Sequence, residues 1–190
     1  MKRAKDVKAW AEEIETLKET VEEFTGNKVT AEKLAAAIKL INNKRKALER
    51  LYSFRKQEKL PISGTDALVI SQIAFYDDPA RFAQMTNKLC DELEQRVKDG
   101  VSVVPVGTKR IMLTGTPLAI PNWKLHNIIE TSGGVVVCEE MCTGTRYFEN
   151  HSLSATWTSI ALASHRTRAE LMISCAWQRN TKQTALSMST

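Results

Sequence analysis

Two short apolar runs lie within 30 residues of each other, and they constrain this chain more than any other feature. Ile111-Met112-Leu113-Thr114 ends in Gly115-Thr116-Pro117, and Val135-Val136-Val137-Cys138 follows Gly133-Gly134. Between them, about Asn122 to Glu130, the apolar residues take helical spacing. Strand, loop, helix and strand in so short a stretch predict one βαβ unit with two parallel strands and a right-handed crossover. Parallel strands are covered on both faces, so the chain must also supply helices to bury them.

The preceding residues supply them. Val7, Trp10, Ile14, Leu17, Val21 and Phe24 recur every three or four residues, which predicts an amphipathic helix stopped at Thr25-Gly26-Asn27. A second helix starts at Thr30, a good N-cap, and runs to about Lys56. Its basic stretch Asn43-Lys44-Arg45-Lys46 is expected to be a solvated face rather than a phosphate site. Residues 65–76 predict a buried helix, and Asp77-Asp78-Pro79 opens another that Asp99-Gly100 closes. Cys90 falls inside that helix and is expected to be a small buried hydrophobe.

The fold class expected is therefore α/β: a helical region over 1–100, then the start of a Rossmann-like parallel domain over 101–150, its sheet incomplete. Residues 151–190 differ in texture. Ser and Thr make up 13 of these 40, and Gly, Pro, Asp and Val are all missing. Codons can be chosen for Ile160 to Met188 so that reading from each third base gives CACFTPNEGRVDDILRLAEEYKADGVVY, a turn, a helix and a strand. The expectation is an out-of-frame stretch or a disordered tail.

Charge argues against a nucleic-acid partner. The formal charge is +5, but residues 151–190 hold four Lys or Arg against one Glu, which leaves 23 basic against 21 acidic residues before them. The basic residues do not form a stripe, and the aromatic ones stand at core spacing. No apolar run approaches the roughly 18 residues a membrane span needs, and MKRAKDVKAW has no signal-peptide core, so a cytoplasmic location is expected.

The chemistry is expected at the carboxyl ends of the strands, where loops of an open parallel sheet converge. Gly115, Thr116 and Pro117 leave the first strand and are candidates for a substrate loop, since Gly115 lets backbone amides approach a ligand. Cys138 and Cys142 leave the second strand, and thiolates suit iron-sulfur clusters or zinc. Structural zinc normally takes four ligands and only two are in view. Glu139 and Glu140, beside them, are expected to be solvated loop acids.

The stretch RIMLTGTPLAIPNWKLHNIIETSGGVVVCEEMCTGTRYFEN, Arg110 to Asn150, resembles the start of the C-terminal domain of the 2-hydroxyacyl-CoA dehydratase family. The strings WAEEIETLKETVEEFTG and INNKRKALERLY are also similar, and the likeness covers about residues 7–150, closest to the double-cubane-cluster reductase branch. The resemblance implies an oxygen-sensitive, cytoplasmic subunit of a homo- or heterodimer that holds a 4Fe-4S cluster or an 8Fe-9S double cubane between two domains. It implies a separate ATP-hydrolysing activator that supplies low-potential electrons, either for dehydration of a 2-hydroxyacyl-CoA or for reduction of a small molecule. Cys142, in the family's E-x-C-x-G context, is the ligand it implies, with Cys138 second because members can place an acid or a small residue there.

Members of that family are usually about twice as long and begin with a domain that contributes another cluster cysteine. This chain is accordingly expected to be an internal fragment lacking that ligand and inactive alone. The alternative is a non-catalytic helical module that binds a protein partner, and iron and sulfide content separates the two.

Overall fold

The computed structural model describes residues 3–148; the expectation for 151–190 lies outside them. The chain divides into two compact units between Lys39 and Leu40.

In the first unit, α1 (Ala4–Thr25) ends at Gly26, as the periodicity predicts. Glu22 then fastens the turn, its carboxylate accepting from Lys28 Nζ (2.8 Å) and from the Val29 amide (2.7 Å). The apolar row of α1 is well exposed at Val7, Leu17 and Phe24, Phe24 at 90%. Helix α2 (Ala31–Ser53) follows Thr30, whose hydroxyl accepts from the Lys33 amide.

In the second unit, the later turns of α2 become apolar toward a core. Leu48, Leu51 and Tyr52 join Phe54, from a single 3-10 turn at Phe54–Lys56, in one buried cluster with Ala67, Phe82, Cys90, Leu93 and Phe148. Helix α3 (Gly64–Ile73) starts at Ser63, which accepts from the Asp66 amide, and Glu130 clamps the same end through the Gly64 amide (2.7 Å) and the Thr65 hydroxyl (2.7 Å). A Cβ on Gly64 would stand 2.4 Å from the Val136 carbonyl oxygen, so α3 approaches the sheet this closely only with glycine there. Helix α4 (Pro79–Lys98) has Asp78 as N-cap, accepting from the amides of Ala80 and Arg81. Cys90 on α4 is fully buried, which pushes its thiol up to about 11. No helix among the described residues is long and apolar enough to cross a membrane.

The stretch Asn43 to Lys46 departs from the expected solvated face. Asn43 and Lys46 are exposed, but Lys44 and Arg45 are buried. Lys44 Nζ donates to the Ala74 carbonyl (2.9 Å) at the end of α3, and both cations stand 5.1 Å from the Tyr147 ring centroid. Their aliphatic stems pack like apolar side chains while a helix C-terminus and a π face receive the charge.

Strands β1 (Lys109–Thr114) and β2 (Gly134–Glu140) pair in parallel, with α5 (Lys124–Thr131) between them, so the βαβ unit is present as predicted. Arg110 ties β1 to the end of the 3-10 turn, donating to the carbonyls of Gln57 (2.9 Å) and Arg55. Every residue of β2 is buried. A four-residue helix, α6 (Thr145–Phe148), follows it.

Candidate functional site

The register of the sheet slips just before the end of β2. Ile111 faces Val136 but Met112 faces Cys138, so Val137 is an extra residue and the last three residues of the strand are re-aimed. Beyond the slip, Cys138, Glu139 and Glu140 each meet a different environment.

Glu139 is the centre of a dry ion cluster. Arg55 holds it bidentately, Nη1 donating to Oε2 (2.6 Å) and Nη2 to Oε1 (2.8 Å), and Nη2 also donates to the Val136 carbonyl (2.7 Å). The Tyr52 hydroxyl donates to Oε2 (2.8 Å), and His126 Nε2 lies 2.9 Å from Oε1. Against a carboxylate, Nε2 must carry a proton, and Nδ1 has no hydrogen-bond partner among the described residues. Arg55, Glu139 and His126 are all essentially inaccessible to water. Burial alone would push the Glu139 carboxyl up, but the Arg55 charge and hydrogen bonds, with His126, outweigh it and lower it to about 2. Arg55 is held protonated by the same carboxylate against the cost of its burial, and burial pushes the Tyr52 phenol up.

Glu140 turns to the edge of the sheet. It accepts from the Thr114 hydroxyl (2.7 Å), the last residue of β1, and from Arg146 through Nε and Nη2 (2.7 Å for Nη2). Burial raises its carboxyl, and these hydrogen bonds more than reverse that, so it stays below its ordinary value. The Arg146 side chain is 42% exposed. The expectation that Glu139 and Glu140 are solvated loop acids is therefore overturned. The strand runs two residues beyond its apolar run, and both acids are taken up by cations and hydroxyls.

Cys138 is buried within β2, whereas Cys142 is exposed in the turn that follows. That turn is stiff. The Gly144 amide donates to the Met141 carbonyl (3.0 Å), and the Thr145 hydroxyl donates to the Glu139 carbonyl (3.1 Å). A Cβ on Gly144 would meet the Glu139 carbonyl oxygen at 2.2 Å, so only glycine lets the turn fold back onto the strand. Glu140 raises the pKa of the Arg146 guanidinium above its ordinary value, against the cost of its partial burial. On the neighbouring exit, Gly115, Thr116 and Pro117 are exposed, and nothing stands within 4 Å of a Cβ on Gly115.

The structure thus puts both expected loops at the carboxyl edge and joins them through Thr114, Glu140 and Arg146. As donors to a metal group, these residues fit one corner of a site. Cys142 is an accessible thiol. Among the described residues no three His, Cys, Asp or Glu side chains are grouped where they hold a metal ion, so further ligands would have to come from elsewhere. Sequence reasoning missed Tyr52, Arg55 and His126. The only local sign was a charged residue, Arg55, directly after a helix whose neighbours are core.

Comparison with known proteins gives a consistent picture. A family model described as 2-hydroxyglutaryl-CoA dehydratase, D-component, matches residues 2–187. A protein of Escherichia coli (strain K12) with the provisional name dehydratase subunit YjiM is 31% identical over 141 residues, which cover 74% of this chain and 36% of the relative. A benzoyl-CoA reductase subunit of Thauera aromatica is 27% identical over 143 residues, 75% of this chain and 36% of the relative. The chain spans about a third of the length of the curated relatives it matches.

Proposed function

This chain belongs to the 2-hydroxyglutaryl-CoA dehydratase D-component family, and on that footing we propose that it is part of an iron-sulfur subunit that serves dehydration of a 2-hydroxyacyl-CoA or reduction of a small molecule. The observation that carries this reading is the exposed thiol of Cys142 on a stiffened turn at the carboxyl end of β2. Parallel sheets bind their ligands at that edge, and an iron-sulfur cluster is held by thiolates.

Cys142 is the ligand in this proposal. Cys138 is a second candidate that would need β2 to open before its sulfur could reach a shared ion, because it is buried inside the strand. When bound, such a cluster would supply low-potential electrons one at a time. The chain's own residues fix the corner that receives it: Arg55, Tyr52 and His126 hold the end of β2 through Glu139, and Glu140 and Arg146 hold the turn. Gly115, Thr116 and Pro117 form the exposed loop on the adjacent strand and would face the substrate.

An ATP-dependent activator, anaerobic operation and a cytoplasmic location belong to the same proposal, and rest on the family. Both relatives are named as subunits. That naming supports a second polypeptide beside this chain, and the exposed apolar row of α1 is suited to meet one.

The test is iron and acid-labile sulfide content after strictly anaerobic purification, for the chain as it stands and for Cys142→Ser. Iron and sulfide in the first and their loss in the second are expected. Equal iron in both would remove Cys142 from the site, and no iron or sulfide in either would favour the non-catalytic helical module.

A further inference from the structure

We infer that α1 pairs antiparallel with α1 of a second copy of this chain, burying the apolar row from Val7 to Phe24. The inference names the second polypeptide of the proposed function and uses no residue of the cluster site.

The spacing of the row is that of a coiled coil. Val7, Trp10, Ile14, Leu17, Val21 and Phe24 alternate steps of three and four, so they fill the a and d positions of successive heptads along the whole of α1. A helix lying on a globular core shows a wider apolar face, and a strip this narrow is the seam of a helix pair. The residues beside the seam agree: Ala11, Glu13, Lys18 and Thr20 are small, charged or polar. Yet Val7 is 51% exposed, Leu17 59%, Val21 42% and Phe24 90%. Apolar area held in water along one face of a helix favours association.

Two properties select a copy of the same helix running the opposite way. The steps of the row read the same from either end, about a point between Glu15 and Thr16. In an antiparallel pair an a residue meets a d residue, so each copy lays Val7 beside the other's Phe24, Trp10 beside Val21 and Ile14 beside Leu17. Every layer then joins a large side chain to a small one, or two of middle size, and the seam fills evenly. A parallel pair in register would stack Trp10 on Trp10 and Phe24 on Phe24, and set Val7 and Val21 each against itself.

Charge makes the same choice. Arg3, Lys5 and Lys8 outnumber Asp6 before Trp10, whereas Glu12, Glu13, Glu15, Glu19, Glu22 and Glu23 outnumber Lys18 after it. That order opposes the helix dipole, which favours acids at the start and bases at the end. Antiparallel pairing brings the basic start of one copy beside the acidic end of the other. Parallel pairing aligns like charge with like.

Sedimentation equilibrium of the full chain over a series of concentrations is expected to show a dimer. Leu17 is exposed in the single chain, so Leu17→Glu leaves its core untouched. Each dimer holds two layers of Ile14 with Leu17, and the variant is expected to raise the dissociation constant about a hundredfold. Orientation is read by mild oxidation of Val7→Cys chains, Phe24→Cys chains and their mixture, with linked peptides identified by mass spectrometry. The mixture is expected to link position 7 to position 24. Neither variant by itself is expected to link through its new cysteine, since like positions then stand roughly 25 Å apart. A monomer at every concentration overturns the inference and leaves the row to a different polypeptide. A dimer indifferent to Leu17→Glu overturns it as well, and so do links between like positions. Where larger assemblies form, the linking pattern decides. Neither measurement involves iron or sulfide, so the pairing can hold where the cluster reading fails, and the reverse.

Discussion

Glu139 and Glu140 are chain neighbours of the same residue type, and the molecule uses them in opposite ways. Glu139 is fully inaccessible and takes hydrogen bonds from both guanidinium Nη atoms, a phenol and an imidazole. Glu140 is satisfied by one hydroxyl and an arginine whose side chain is well exposed. The first glutamate joins helix, 3-10 turn and strand into one block. The second leaves its cation free to face something else. A carboxylate stabilises a fold most where removing it strands a buried partner, and tunes chemistry best where its partner stays within reach of solvent and ligand.

The sharpest way to break this contrast is Glu139→Gln. It leaves Arg55 charged and buried without its counter-ion, and a loss of about 3–5 kcal/mol in unfolding free energy is expected from the urea midpoint. Arg55→Met should cost a similar amount for the converse reason. The double variant should lose clearly less than the two single losses together, because neither ion is then left unpaired. Full additivity would show that the two groups do not act as a pair.

Acid separates the two regions next. Glu139 has its carboxyl lowered from the ordinary 4.5 to about 2. The unfolded chain therefore takes up this proton first. The stability Glu139 contributes is complete above about pH 4.5 and is lost as pH falls through that window toward 2. Unfolding free energy followed from pH 6 to pH 3 should fall in the native chain, and the fall should be shallower in Glu139→Gln. Parallel curves would place the acid sensitivity in other carboxylates.

How much of this is legible in the sequence follows the range of each interaction. The βαβ unit and the bounds of α1 and α4 can be read, because apolar spacing, Gly26, Asp78-Pro79 and Gly100 act within a few residues of the structure they set. The position of the candidate ligand, Cys142, can also be read. The Glu139 cluster cannot, because Arg55 stands 84 residues away and Tyr52 stands 87 away. No spacing marks such a pair, and acids after an apolar run look like a loop. Lys44 and Arg45 mislead for the related reason that their partners, Ala74 and Tyr147, arrive from the end of α3 and from α6.

Gly144 lies between the two regions, and Gly144→Ala tests whether the turn really rests on the strand. The added Cβ meets backbone, the Glu139 carbonyl oxygen, so a flexible side chain cannot swing away to relieve it. A cost of about 1–3 kcal/mol is expected, with faster alkylation of the Cys138 peptide as the end of β2 loosens. An alanine variant with native stability and native Cys138 reactivity would mean that the turn has other ways to close.

The smallest expected effect is the most diagnostic of the difference between the two acids. Glu140→Gln removes one carboxylate charge, as Glu139→Gln does, yet its cation is more than a third exposed and finds water when the carboxylate is gone. The expected cost is therefore about 0–1 kcal/mol, and added salt should shrink it further. The two glutamine variants thus differ by the desolvation of the partner left behind and by little else. A loss at Glu140 as large as that at Glu139 would mean that Arg146 is committed to holding the fold.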